Sequence, residues 1–500
     1  MSEQTPAAPQ AQETLSFSEQ EQIRREKLNG LIAAGNSPYQ ITNYEAGRTA
    51  QDIISGFDAL DGQTVSVAGR MMSRRIMGKA SFAHLRDASG YIQIYVKRDD
   101  VGEEAYDAFK NTDLGDIHGV KGFVFKTRTG EVSIHAQEVV LLSKCLKPLP
   151  DKWHGLQDMD LRYRQRYLDM IVSPQVRDTF VKRSKIITAI RSFMDTRGFL
   201  EVDTPILHTL EIGAAARPFQ THHNTLDIDM YLRVETELYL KRLIVGGFDK
   251  VYEIGRIFRN EGMDTKHNPE FTSIELYQAY ADYNTMMDLA EELFQHVART
   301  ACGSEVLTYQ GKEINLGGKW ERIPMAEAVK RYSGIDFYAW ETDEQARACL
   351  DDRHIHYEKG ATRGDCLPLL FDEYVEKQLI QPTFIIDYPV ENSPLAKRKP
   401  EEPRLTERFE LFINGTEYGN AFSELNDPID QKERFIRQVE ERKALGGKNA
   451  KVDEDFVNAL EYGMPPTGGM GIGVDRLIML LTDSASIRDI LLFPTMKPLD

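Results

Sequence analysis

The spacing of apolar and polar residues changes period along the chain, and each change predicts a different kind of element. From Gln63 to about Pro150, the segments "TVSVAGRMMSRRIM", "SFAHLRD", "YIQIYVKRD", "GVKGFVFKT" and "EVSIHAQEVVLLSK" alternate with a period of two. That is the pattern of strands with one buried face. Ala88-Ser89-Gly90 and Thr129-Gly130 supply turn chemistry, and a helical stretch from Glu103 to Asn111 separates the third strand from the fourth. Five such strands predict a small Greek-key β-barrel of the OB-fold type, which binds single-stranded nucleic acid on one strand face.

Elsewhere the period is helical. "SEQEQIRREKLNGLIAAG" sets Ile23, Leu28 and Leu31 among charges and ends in glycine. "VRDTFVKRSKIITAIRSFMDTRG" places Phe180, Ile187, Ile190 and Met194 on one helical face and stops at Gly198, after which "FLEVDTP" reads as a strand ending at Pro205. "YNTMMDLAEELFQHVARTACG" is a further amphipathic helix closed by Gly303. These patterns divide the chain into a disordered tail (1–18), a helical extension (19–62), the barrel (63–146), a linker (147–174) and a second domain (175–500) with a mainly helical insertion at about 319–378. The fold class is α+β.

Composition narrows the picture only in places. The 61 Lys and Arg against 78 Asp and Glu give a net charge of -17, which in bulk speaks against a nucleic-acid partner. Locally, however, Arg70, Arg74, Arg75 and Lys79 cluster beside Phe82, His84 and Gln93 on the predicted barrel. Arg24, Arg25 and Lys27 make the first helix either RNA-facing or simply solvated. The tail lacks an apolar signal core, no apolar run reaches the roughly 18 residues of a membrane span, and the four cysteines form no C-x-x-C. A cytoplasmic protein with no membrane contact is the expectation.

Three stretches carry chemistry. In "FRNEGMDTKHNPEFTSIELY", a strand is read through Glu261, a loop from Gly262 to Glu270 and a return strand from Phe271. Strand parity then puts Arg259 and Glu261 on one face, and Phe271, Glu275 and Tyr277 on one face of the return strand. Guanidinium, ring and carboxylates together suit a nucleotide. In "ERFELFINGTEYGNAFSEL", Asn414-Gly415 predicts a two-residue turn that pairs Phe412 with Glu417 and Glu410 with Gly419. Glu410 and Glu417 then lie diagonally, roughly 7–8 Å or less apart, and two such carboxylates with phosphate nearby imply Mg2+. Asn420 has the opposite parity from Glu417, so either a bulge at Gly419 re-aims it or one assignment is wrong. In "GMPPTGGMGIGVDRLIMLL", glycines precede an apolar helix with Arg476 near its start, but no Lys-Ser/Thr follows them, so this is not a P-loop. His222, His223, His354 and His356 lack metal-site context and read as structural or surface groups.

The segment ending at Pro205, "FRNEG...HNPEF" and "GMGIGVDRL" resemble, in order and spacing, motifs 1, 2 and 3 of the class II aminoacyl-tRNA synthetases. A barrel ahead of the catalytic domain resembles the subgroup for lysine, aspartate and asparagine. "ARPFQTHHNTLDIDMYLR", "ELYLKRLIVGGFDKVYEIGRIFRNEG" and "NAFSELNDPIDQ" are similar to the lysyl-tRNA synthetases in particular. The resemblance covers about residues 20 to 500. It implies an antiparallel sheet flanked by helices, a homodimer built through motif 1, and a ligase that joins L-lysine to tRNA(Lys) by way of lysyl-adenylate.

It also implies roles. Arg259 and Arg476 would be catalytic, and ATP would meet Arg259, Glu261, His267, Phe271 and Arg476. Lysine would meet Gly213, Glu237, Glu275, Tyr277, Asn420 and Glu424, with Glu424 and Tyr277 at its side-chain ammonium and Glu237 with Gly213 at its α-amino group. Glu410 and Glu417 would hold magnesium, and Phe82 and Gln93 would contact the anticodon. The alternatives are an aspartyl- or asparaginyl-type synthetase, or a non-catalytic tRNA-binding paralogue.

Overall fold

The computed structural model describes residues 18–150, 156–211, 216–444 and 451–499. Residues 1–17 of the predicted tail, 151–155 of the predicted linker and Gly213 lie outside them. The chain forms two compact units, residues 1–156 and 157–500.

In the first unit, β1 (Thr64–Met77), β2 (Ala80–Arg86), β3 (Tyr91–Lys97), β4 (Ile117–Lys126) and β5 (Val132–Ser143) close a barrel in the order β1-β2-β3-β5-β4. Period-two alternation dictates the packing: Val65, Val67, Ala83, Leu85, Ile92, Ile94, Val96, Val120, Val124 and Ile134 fill the interior. The helix Glu103–Lys110 adds Tyr106 and Phe109 to that core, and the Tyr106 hydroxyl donates to the Gly78 carbonyl at 2.9 Å. The amide of Glu21 donates to the Ser18 hydroxyl, which caps the first helix, Glu19–Ala33. Its Arg24 is buried and donates to the carbonyls of Leu114, Cys145 and Lys147 at 3.2, 2.8 and 3.2 Å. That guanidinium is spent on backbone oxygens, so Arg24 is a strut rather than an RNA contact.

In the second unit the strands in chain order are β6 (Leu200–Glu201), β7 (Leu207–His208), β8 (Gln220–His223), β9 (Ile228–Leu232), β10 (Lys250–Phe258), β11 (Glu270–Ala279), β12 (Val306–Tyr309), β13 (Lys312–Asn315), β14 (Glu321–Pro324), β15 (Thr383–Ile386), β16 (Arg408–Phe412), β17 (Glu417–Ser423) and β18 (Thr467–Gly473). Eight of them build one sheet in the order β14-β15-β16-β17-β18-β11-β10-β6. Neighbours are antiparallel from β15 to β10, while β14 on β15 and β6 on β10 are parallel. The predicted strand "FLEVDTP" shrinks to the two residues of β6, an edge strand.

Helices Pro174–Thr196, Tyr283–Cys302 and Val474–Thr482 share one core with the sheet. Ile186, Ile190, Phe193, Met194, Leu293, Phe294, Leu477 and Ile478 meet Tyr252, Ile274, Leu276, Phe409, Met470 and Ile472. On the first of these helices Ile186 and Phe193 are buried where the sequence suggested Ile187 and Phe180, a small rotation of the predicted face. Truncating a ring such as Phe294 to alanine costs about 3–5 kcal/mol by this packing. Residues 319–378 carry helices Met325–Ser333, Asp343–Asp351 and Arg363–Tyr374, which share a second core with Ile323, Ile385 and Phe412 of the sheet strands β14 to β16. Among the described residues no helix is long and apolar enough to cross a membrane.

Because Ile274 and Leu276 face the helices, period two turns Phe271, Ser273, Glu275 and Tyr277 of β11 to the opposite face of the sheet. The candidate site lies there.

Candidate functional sites

Two strand terminations shape the site. β10 ends at Phe258, whose register partner is Glu270, so Arg259 and Glu261 are not strand residues as the sequence suggested. The Arg259 amide still donates to the Pro269 carbonyl at 2.8 Å, and then the chain turns, with Asn260 donating to the Arg217 carbonyl at 2.7 Å. The expected common face is nonetheless achieved. Arg259, Glu261, Phe271, Glu275 and Tyr277 all line one cavity of about 370 Å³, together with His267, Glu237, Asn420, Glu424, Glu417 and Arg476. The Arg259 guanidinium sits 5.4 Å from the centre of the Phe271 ring.

At the hairpin, Asn414 and Gly415 adopt φ of 50° and 62°, the left-handed pair that a two-residue turn of this type demands. Ile413 and Thr416 exchange both backbone hydrogen bonds, at 3.0 and 3.2 Å. Phe412 pairs with Glu417 as predicted, but the next pair is Leu411 with Gly419 and then Glu410 with Asn420. Tyr418 is therefore an extra residue, and the expected pairing of Glu410 with Gly419 is off by one. The bulge resolves the parity conflict, because Glu417 and Asn420 both reach the cavity while Tyr418 turns into the core.

Glu410 is held from two sides: Arg408 Nη2 donates to Oε1 at 2.5 Å and the Tyr388 hydroxyl donates to Oε2 at 2.9 Å. Arg408 Nε also donates to Asn420 Oδ1 at 3.0 Å, tying the two strands together. Burial pushes the Glu410 carboxyl up to about 7 against the pull of Arg408, and the charge of Glu417 adds to the rise. A buried carboxyl raised in part by a second carboxylate is a donor set that a hard divalent cation would relieve. Among the described residues no cluster of three or more His, Cys, Asp or Glu is arranged around a metal position.

The acidic end of the cavity is denser than the sequence suggested. Glu235, which sequence reasoning passed over, joins Glu237, Glu275 and Glu424 there. Burial raises Glu235 to about 8, with repulsion from Glu237 and Glu275 adding to it. Burial likewise raises Glu275 to about 7, with Glu237 contributing. Glu275 Oε2 is buried without a hydrogen-bond partner. Behind the acids stands Lys241, fully buried, in ion pairs with Glu237 (2.5 Å) and Glu424. Gly469 faces this group, and a Cβ there would collide with Glu424 Oε1 and the Tyr277 ring.

Further residues of the cavity wall come from loops and a helix start. The Lys266 ammonium donates to the Thr416 hydroxyl at 3.0 Å, and the Thr265 carbonyl accepts from the Ile487 amide at 2.8 Å. His267 is exposed and pairs with Asp264 at 2.8 Å. Asp475, in the first turn of its helix, accepts from the Thr272 amide at 2.8 Å and from Arg183 at 2.7 Å, which fixes the neighbouring Arg476.

On the barrel, Phe82 and Gln93 share the outward face of β2 and β3 with His84 and Tyr95. Phe82 and Tyr95 lie 4.8 Å apart, and Tyr95, Phe123, Phe125 and His135 continue an aromatic platform with neighbouring ring centres 4.5–6.3 Å apart. Gln93 Nε2 donates to Glu131 at 2.7 Å, and Gln93 Oε1 accepts from Ser133 at 2.9 Å, so its amide orientation is set. The strand alternation of β3 to β5 carried the signal for these extra rings. The predicted basic cluster is smaller than expected, since Arg70 donates to the Gly115 carbonyl and Arg74 to those of Phe109 and Thr112.

Comparison with known proteins agrees with both units. Residues 158–497 match the family model for class II tRNA synthetases (D, K and N), and residues 65–142 match the OB-fold nucleic acid binding domain. The chain is 59% identical over 476 residues to a lysine–tRNA ligase of Thermoanaerobacter pseudethanolicus, covering 95% of each chain. It is 56% identical over 489 residues to that of Clostridium tetani, covering 97% of each, and 57% identical over 476 residues to that of Moorella thermoacetica, covering 95% of this chain and 97% of the relative. The chain belongs to the class II tRNA synthetases of the D, K and N group.

Proposed function

We propose that this protein is a lysine–tRNA ligase that activates L-lysine with ATP and transfers it to tRNA(Lys). The observation that carries the reading is the cavity itself, lined by the four acids Glu235, Glu237, Glu275 and Glu424 together with Arg259, Phe271 and Arg476. A ligand with two ammonium groups matches the acids, and one carboxylate fits Arg259. A neutral analogue would leave buried acids uncompensated, which disfavours it strongly. An aspartate-type substrate would bring further negative charge to an already acidic wall.

In the first step a lysine carboxylate oxygen attacks the α-phosphorus of ATP, the bond to the bridging oxygen of the β-phosphate breaks, and pyrophosphate leaves. In the second a hydroxyl of the terminal ribose of tRNA attacks the lysyl carbonyl and AMP leaves. No protein nucleophile is required, so catalysis rests on positioning and charge stabilisation. Arg259 holds the lysine carboxylate and the α-phosphate, and Phe271 stacks on adenine. Arg476 covers the other face of the base and reaches the γ-phosphate, with Glu261 and His267 assisting. Glu237 and Glu424 take the α-amino and side-chain ammonium groups, and Glu275, Tyr277 and Asn420 complete the pocket; Gly213, expected at the α-amino group, lies outside the described residues. Glu410 and Glu417 would hold Mg2+, which when bound neutralises phosphate charge.

Phe82 and Gln93 serve the anticodon, with the surrounding rings as a stacking surface. The homodimer reading is supported by the edge strand β6 and by the exposed apolar Val181, Leu200, Ile206 and Leu207 of the predicted motif 1 region, and light scattering tests it. Four free thiols suit the reducing cytoplasm. The test of the whole reading is acylation of unfractionated tRNA in the presence of ATP and magnesium: lysine should be incorporated, and incorporation of aspartate or asparagine instead would replace it.

A further inference from the structure

Lys241 is the least expected member of the acidic group. Its side chain has no exposure, and it is not part of the cavity wall. It comes from the helix Glu237–Val245 and reaches Glu237 one turn earlier on the same helix and Glu424 at the end of β17. The rings of Phe422 and Phe456 lie 5.5 and 5.8 Å from its ammonium, leaving it no route to solvent. Burial opposes its charge, but the two carboxylates outweigh that, so the ammonium persists.

We infer that Lys241 is a positioning and charge-balancing residue for the amino-acid site, a resident cation held between Glu237 and Glu424 that aims both carboxyl groups and supplies their counter-charge before the substrate arrives. This inference rests on the reading of the cavity as a lysine site. The two acids sit on either side of one ammonium, so its removal leaves them facing each other with no counter-charge. Burial then favours the protonated form of Glu424 unopposed, and a dicationic amino acid would have to expel that proton to bind.

The other charged groups facing Glu424 do not replace this function. Glu237 and Glu275 repel it, Tyr277 is neutral, and the Arg259 charge acts on Glu235 and Glu275 instead. Arg242, next on the helix, is committed to Asp453 at 2.7 Å. Burial drives Glu424 upward and Lys241 is the main influence drawing it back.

The experiment is lysine-dependent ATP–pyrophosphate exchange by the full chain between pH 6.5 and 8.5, comparing wild type, Lys241→Met and Lys241→Arg. For Lys241→Met the KM for lysine should rise as pH falls by ~tenfold per pH unit more than in wild type, as one extra proton requires, while the KM for ATP stays within about threefold. Lys241→Arg, which keeps the charge, should retain the wild-type slope even where its packing is worse. Circular dichroism establishes folding, and if Lys241→Met does not fold, the slope for Lys241→Arg decides. A Lys241→Met slope equal to that of wild type, or a Lys241→Arg slope as steep as one extra proton, would overturn the inference. A wild-type enzyme that does not activate lysine would instead overturn the reading of the site.

Discussion

Arg476 Nη1 donates to the backbone carbonyl of Glu417 at 2.6 Å and lies 3.3 Å from the Glu417 carboxylate. The guanidinium at the start of the Val474–Thr482 helix is thus already parked over the sheet, beside a carboxylate expected to serve magnesium. Replacing Arg476 with alanine removes a charge that should be strongest toward the phosphates in the transition state. Exchange should fall by about 10²–10³-fold in kcat, the scale set by loss of one oriented donor, with the KM for lysine little changed. Steady-state exchange with ATP and lysine varied separately checks this.

The raised carboxyls give pH dependence with a definite sign. Glu235 and Glu275 stand at about 8 and about 7 in the free protein, well above their unfolded values. The folded state therefore binds more protons than the unfolded one across that window, so these groups make the free protein less stable as pH rises from about 4.5 to about 8. Bound lysine supplies ammonium groups and reverses the penalty. The rise in thermal midpoint caused by saturating lysine should be larger at pH 8.5 than at pH 6, measured by calorimetry. An equal rise at both values would contradict this account of the acids.

Gly469 is where the backbone makes room. A methyl group there would collide with Glu424 and Tyr277, both expected at the lysine side chain. Gly469→Ala should raise the KM for lysine at least ~fivefold, equivalent to the 1–3 kcal/mol scale of overpacking, while the KM for ATP moves far less. Parallel titrations of the two substrates separate these effects.

The barrel face should matter for tRNA alone. Phe82→Ala removes one ring of the platform, and base stacking of this kind contributes roughly 1–3 kcal/mol. The KM for tRNA should rise by about five- to 100-fold on that scale, and Gln93→Ala should raise it too, with exchange unaffected because exchange uses no tRNA. Loss of exchange in either variant would count against the separation of roles.

Much of this was legible in the sequence because burial follows period. The inward positions of β1 to β5, the Asn414-Gly415 turn and the shared face of Phe271, Glu275 and Tyr277 all came from alternation or turn chemistry. What was hidden has physical reasons. β10 stops at Phe258 because the chain leaves the ladder, and parity counting carried Arg259 and Glu261 one element too far. The bulge at Tyr418 was invisible as a register, although the conflict between Glu417 and Asn420 pointed to it. Lys241 looked like an ordinary polar position of "ELYLKRLIV", since only the fold brings Glu424 across to it. Sequence leaves Arg24 either RNA-facing or solvated and sets Arg74 in a basic cluster, whereas the fold spends both guanidinium groups on backbone carbonyls.

The central claim is that the acidic cavity selects lysine. ATP–pyrophosphate exchange measured with each of the standard amino acids tests it most directly. Exchange should be supported by lysine with kcat/KM at least ~10⁴-fold above that for any neutral amino acid, the scale on which a site with unpaired buried polar groups rejects analogues. Robust exchange with aspartate or asparagine, or none with lysine, would contradict the account.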